Sequence, residues 1–125
     1  LTFDQYRWSG RSVSPYKREH VASSHGVTRQ ELTGMHGEHT KFDLRYFEIE
    51  PGGFSSKEKH LHEHIIIGIR GRGVLVKESK RIPIHPHDIA RVAAMETHQL
   101  WNESNEPFGF YCIVDHERDR PCLVC

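Results

Sequence analysis

Cysteine is scarce in this chain, with three residues in 125. That is too few to staple a small fold with disulfides, so the core must come from apolar packing, and a reducing cytoplasm is the expected compartment. Cys112 sits inside the apolar run Phe108-Gly109-Phe110-Tyr111-Cys112-Ile113-Val114 and reads as a buried thiol. Cys122 and Cys125 form a lone C-x-x-C with no second pair to complete a zinc site. An excess of charge of one sign is lacking too, with 17 basic residues against 17 acidic ones. A balanced chain exerts no electrostatic pull on nucleic acid or an anionic membrane surface, so neither is expected as a partner. No apolar run approaches the roughly 18 residues of a membrane-spanning helix, and no signal-peptide pattern is found. Helical periodicity of useful length is missing, as are internal repeats and low-complexity tracts.

What is present is a succession of short alternating segments. Residues 42–50 alternate in character and run into Pro51-Gly52-Gly53, a strong turn signal expected to end the strand. Further strands are expected over 62–70, 74–78, 81–84, 88–93, 98–103 and 108–115, with a weaker one over 27–32 and a loop over 34–39. Short strands separated by frequent turns imply a single all-β domain, a sandwich or a barrel. The chain divides into an N-terminal arm with a first strand (1–41), a β-barrel (42–118) and a solvated C-terminal tail (119–125). Tyr6, Trp8 and Tyr16 lie among charges in the arm and are expected to pack on the body of the domain or on a partner.

Histidine is the compositional excess, with eleven residues. The densest stretch is Glu58-Lys59-His60-Leu61-His62-Glu63-His64-Ile65-Ile66-Ile67. In an extended chain, side chains two apart point the same way, so Glu58, His60, His62 and His64 would share one face. Imidazoles converging with a carboxylate bind first-row transition metals. A tag-like, solvated histidine run is the plain alternative, but this stretch leads directly into core-type sequence. His36 and His39 fall in the loop and suit the rim of a site. His85 and His87 flank Pro86 in a turn and are expected to face solvent. His20, His25 and His116 carry no assigned role.

Two motifs resemble the cupin superfamily, specifically the small single-domain bacterial metal-binding cupins. The first runs from Pro51-Gly52-Gly53 through the histidine stretch to Gly71-Arg72-Gly73; the second runs from Pro86-His87-Asp88 to Met95-Glu96-Thr97-His98-Gln99-Leu100-Trp101-Asn102. The resemblance implies a jelly-roll barrel, a double-stranded β-helix, holding one divalent transition metal (Fe, Mn, Ni or Zn). It places His64 on the third ligand position, His98 on the fourth, His60 on the second and Glu58 on the first, where the family usually has histidine. An alternative register pairs His60 with His62 and leaves Glu58 outside. His62 is otherwise a donor behind the ligands or a pocket acid–base. The second motif also departs from the family pattern: Ala93-Ala94-Met95-Glu96 stands where prolines and a glycine are usual, and Glu96 is expected to face water.

A ligand imidazole needs its other N–H anchored, for which Glu63, Gln99 and backbone carbonyls are candidates. The wall of the pocket is expected from Arg45 or Tyr46, Phe47, Ile66, Phe110 and Cys112, and an acidic substrate would call for Arg45 or Arg91. The expected function is a metal-dependent oxidoreductase of dioxygenase type acting on a small organic substrate. The alternatives are a lyase or isomerase working through an enolate and a non-catalytic sensor of metal or small ligand. The family also implies a homodimer, with the N-terminal arm crossing to its neighbour.

Overall fold

The computed structural model of the chain describes residues 1–16, 24–119 and the backbone of 122–123. His20, Cys125 and the side chain of Cys122 therefore lie outside the described residues. In chain order the strands are β1 (Phe3–Asp4), β2 (Arg7–Trp8), β3 (Ser14–Pro15), β4 (His25–Thr33), β5 (Phe42–Phe54), β6 (Glu58–Lys59), β7 (His64–Arg70), β8 (Gly73–Lys77), β9 (Lys80–Ile84), β10 (Ile89–Val92), β11 (His98–Trp101), β12 (Phe108–Asp115) and β13 (Cys122–Leu123). No helix occurs among the described residues.

Side-chain alternation along β5 sets the architecture. Arg45, Phe47 and Ile49 point to one face of the strand and Leu44, Tyr46 and Glu48 to the other. Phe47 and Ile49 join Val27, Ile66, Leu75, Ile84, Val92, Leu100, Phe108, Phe110, Cys112 and Val114 in one buried cluster. Tyr46 joins Trp8 and Leu32 in a second, with Tyr6 and Tyr111 packed against it. The arm thus places its aromatics on the body of the domain: Trp8 lies 4.9 Å from the Tyr46 ring and 5.9 Å from Tyr111. An aromatic of this size removes enough apolar area from water to outweigh the ordering of a short hairpin.

All pairings are antiparallel. One layer runs β10-β7-β12-β5, with β4 and then β3 on the other edge of β5. The other contains β9-β8-β11, with β6 beside β11 and β13 beside β6, and the far end of β5 joins it where Phe54 pairs with Trp101. The layers close around the core as an all-β barrel.

The turn expected at Pro51-Gly52-Gly53 does not end β5. Gly52 adopts a φ of 80°, open to glycine, which bends the strand without stopping it. The bent portion passes to the second layer, where Gly52 N–H donates to Asn102 O at 2.9 Å and Asn102 N–H to Gly53 O at 3.0 Å. The strand expected from residue 62 starts instead at His64, because the N–H groups of Leu61 and His62 donate to the carboxylate of Asp119, at 2.9 and 3.1 Å.

Candidate metal centre

Because 60–63 is not a strand, period-two alternation is not what gathers the histidines. The segment bends, and the rings collect as a stack: the centroids of His60 and His62 are 3.7 Å apart, and those of His60 and His64 4.5 Å. His98 comes from β11, opposite Glu58 in the β6–β11 register, with its ring 4.8 Å from that of His60. Two triads of donor atoms result, His60–His62–His64 and Glu58–His60–His98, each with its atoms within 4.8 Å of one another. His60 belongs to both.

The hydrogen bonds behind the rings aim them. His60 Nδ1 bonds to His62 O at 2.7 Å and His98 Nδ1 to Glu96 O at 2.9 Å. A carbonyl only accepts, so each Nδ1 carries the proton and each Nε2 keeps its lone pair. His62 Nδ1 donates likewise to Asp119 Oδ1 at 2.8 Å. His64 Nδ1 lies 3.0 Å from Cys112 Sγ, which also accepts from Arg45 Nη2 at 3.3 Å. Glu58 Oε2 accepts from Ser56 Oγ at 2.6 Å and from the Tyr16 hydroxyl at 3.4 Å. Burial lowers the basicity of His60, His64 and His98; for His64 the Arg45 charge adds to it. These imidazoles are neutral at pH 7, the form that binds a metal.

His60 Nε2 and His64 Nε2 are buried with no hydrogen-bond partner. Orphaned polar atoms are costly inside a protein, and a cation shared between them would answer both. The nitrogen–oxygen donor set suits a divalent transition ion. The residues therefore fit such a group.

The nest faces a cavity of about 200 Å³ walled by Tyr16, Val27, Phe47, Leu100, Phe110 and Cys112. Of the expected wall, Arg45, Phe47, Phe110 and Cys112 line it. Tyr46 points to the opposite face of β5, and Ile66 is buried within the core instead. Burial pushes the Tyr16 phenol and the Cys112 thiol upward, so both hold their protons. Arg91 is exposed and paired with Glu63, leaving neither at the site. Gln99 donates to Ser55 O at 2.8 Å rather than to a histidine. Glu96 accepts from Ala93 N–H at 2.7 Å and pairs with Lys77, which stiffens its own turn; its carbonyl, not its carboxylate, serves His98. His85 and His87 are exposed, as expected, and the His36 ring bonds to Glu31 O at 2.6 Å.

Three participants escaped sequence reasoning. Asp119 sits in a segment read as solvated tail, Ser56 beside a turn and Tyr16 in the arm. Tyr16 and Asp119 reach the nest across 42 and 57 residues, so nothing local marks them; Ser56 stands two residues before Glu58, where a serine beside a turn carries no signal of its own.

A family model described as a cupin domain matches residues 45–114. The chain belongs to the cupin family. It is 38% identical over 122 residues to the 1-methylthio-D-xylulose 5-phosphate methylsulfurylase of Rhodospirillum rubrum, covering 95% of this chain and 75% of that protein. Among solved structures, a cupin 2 conserved barrel domain protein from Rhodopseudomonas palustris is 31% identical, with a TM-score of 0.90 over 100% of this chain and 85% of its own. A cupin-superfamily sugar phosphate isomerase from Silicibacter pomeroyi is 27% identical, with a TM-score of 0.70 over 84% and 69% respectively.

Proposed function

We propose that this cupin is a metal-dependent enzyme that removes a proton beside the carbonyl of a small molecule, the chemistry of an isomerase or a lyase working through an enolate. One observation carries the reading: a nest of neutral imidazoles and a carboxylate, backed by hydrogen bonds, opens onto a small cavity with an apolar wall. Glu58, His60, His64 and His98 are the proposed holders of one divalent ion, with His62 the contested fifth. Bound there, the ion supplies a Lewis acid that polarises a carbonyl oxygen.

The chain's own groups supply the rest. Ser56 and Tyr16 fix the Glu58 carboxylate. Phe47, Leu100 and Phe110 exclude water from one side of the cavity. If His62 is not a holder, its Nε2 is placed to carry the proton, because the Asp119 carboxylate holds the ring proton on Nδ1 and leaves the Nε2 lone pair facing the cavity. A water in the liquid occupies roughly 30 Å³, so the cavity takes a molecule of modest size.

The names of two relatives favour this reading, since one refers to a methylthio-xylulose phosphate and the other to sugar phosphate isomerisation. The mixed nitrogen–oxygen donor set also supports a second reading, a dioxygenase-like oxidoreductase, because non-haem iron oxygenases use such donors. A non-catalytic sensor is the third. The test is to incubate metal-loaded protein with ketose phosphates in D₂O under strict anoxia and follow the proton α to the carbonyl by NMR. Its exchange or loss is expected. No exchange without oxygen, together with oxygen uptake on phenols or diketones, would sink the first reading and select the second.

The proposed assembly is a homodimer in the cytoplasm. Ile89, 70% exposed on the edge strand β10, gives an apolar contact point, and sedimentation as a monomer would refute the dimer. No helix among the described residues is long and apolar enough to cross a membrane.

A further inference from the structure

Three arginines line the cavity, and two have their charge answered. Arg29 pairs with Glu31 at 3.2 Å, and Arg118 with the buried Asp43 at 2.7 Å. Arg45 differs. It is 8% exposed and makes no ion pair among the described residues, and its Nε, like that of Arg29, is buried with no hydrogen-bond partner. Its guanidinium lies 4.9 Å over the Phe47 ring and donates one hydrogen bond, to the weak acceptor Cys112 Sγ. Glu31 stands opposite it in the β4–β5 register and pairs with Arg29 through Oε1, its Oε2 being buried with no hydrogen-bond partner; Glu58 faces the same cavity from the histidine nest.

A buried guanidinium without a counter-ion is costly, and a fold keeps one when something outside the chain completes it. The planar fork of an arginine fits the oxygens of phosphate or carboxylate through paired N–H donors. We propose that Arg45 is the anion reader of this cavity, taking the phosphate or carboxylate group of the small molecule presented to the histidine nest. The proposal rests on the preceding reading for calling that molecule a substrate; the anion contact itself does not. It also accounts for an arginine on the core-facing side of β5, followed there by Phe47 and Ile49 and preceded by Asp43, whose carboxylate is taken by His116 and Arg118.

The test is calorimetric titration of the metal-loaded full chain and of its chelator-stripped form with inorganic phosphate and, separately, acetate. Wild type, Arg45→Met and Arg45→Lys are compared at pH 8, where the imidazoles are neutral. Wild type is expected to bind at least one anion in both forms, and the preferred anion tells phosphate from carboxylate. Arg45→Met should weaken that binding roughly tenfold or more, with Arg45→Lys in between. The melting temperature of ligand-free Arg45→Met should hold or rise, because an unanswered charge has been removed.

A purely structural arginine gives the opposite: a melting temperature that falls with no selective loss of anion binding. Equal binding by wild type and Arg45→Met, or binding seen only with metal and indifferent to residue 45, overturns the proposal. Loss of anion binding in Arg45→Met alongside failure of every α-proton exchange assay would sink the enolate reading and leave the anion site standing.

Discussion

Asp119 is the point at which the metal reading can be attacked most directly. Its carboxylate accepts three hydrogen bonds, from Leu61 N–H at 2.9 Å, His62 N–H at 3.1 Å and His62 Nδ1 at 2.8 Å. The backbone bond to Leu61 and the bond from the His62 ring hold this carboxyl well below the usual carboxylate range. The first two bonds fix the bend that gathers the rings, and the third fixes the His62 tautomer. Asp119→Ala removes all three, and loss of such a partner behind a ligand histidine typically weakens metal binding about 10–100-fold. Asp119→Asn keeps an oxygen for the two His62 bonds, which share Oδ1, but turns an amide N–H toward Leu61 N–H, donor against donor. The asparagine should therefore fall near the lower end of that range and the alanine toward the upper.

The assay is competition of the protein against a chromophoric chelator for manganese and zinc, with thermal melts of the metal-free proteins as the check on folding. Adding His62→Ala completes a double-mutant cycle. If Asp119 acts through His62, the double variant binds metal no worse than His62→Ala alone. Wild-type affinity in a folded Asp119→Ala refutes the reasoning; losses that simply add show instead that Asp119 acts through the backbone bend and not through the His62 ring.

Asp43 gives an acid-stability prediction. Burial by itself would raise its pKa, but hydrogen bonds from His116 and Arg118, both 2.7 Å, prevail and hold it below the ordinary 3.8. A depressed carboxylate stabilises the fold above its unfolded pKa and loses that contribution as pH falls through the folded value, so the loss begins near pH 4 and deepens below it. Asp43→Asn should cost about 1–3 kcal/mol at pH 7 and converge on wild type in acid, read from urea midpoints. Gly73→Ala would push a methyl into the fully buried Phe108 ring and should destabilise by about 1–3 kcal/mol, with metal affinity unchanged. Asn102 is fully buried, donates to Ile49 O at 2.8 Å and Glu106 O at 2.7 Å, and accepts from Ser104 N–H at 2.9 Å. Asn102→Ala should cost about 2–4 kcal/mol by chemical denaturation, because these partners are left unsatisfied.

The strands, the barrel and the family were written in the chain itself. Alternation along 42–50 and 108–115 marks a strand by its period of two, a property of neighbouring residues, although the second face of both strands is covered by the arm. The donor types were visible for the same reason: Glu58, His60, His62 and His64 sit within one short stretch, and His98 follows at the family's spacing. The local shape was not. A strand was expected at residue 62, but the N–H groups that would have joined a ladder go to Asp119 instead, 57 residues away from His62. Likewise Gly52 bends β5 where a stop was read, because partners on β11 continue the pairing.

Which residues stand behind the nest, and which arginine goes unanswered, depended on the closing of the barrel. Arg45 and Arg91 are alike as letters on alternating strands. Tertiary structure put the first inside beside Cys112 and Phe47 and the second outside against Glu63. Burial and long-range hydrogen bonds are properties of the folded whole, and they decide what an ionisable side chain can do.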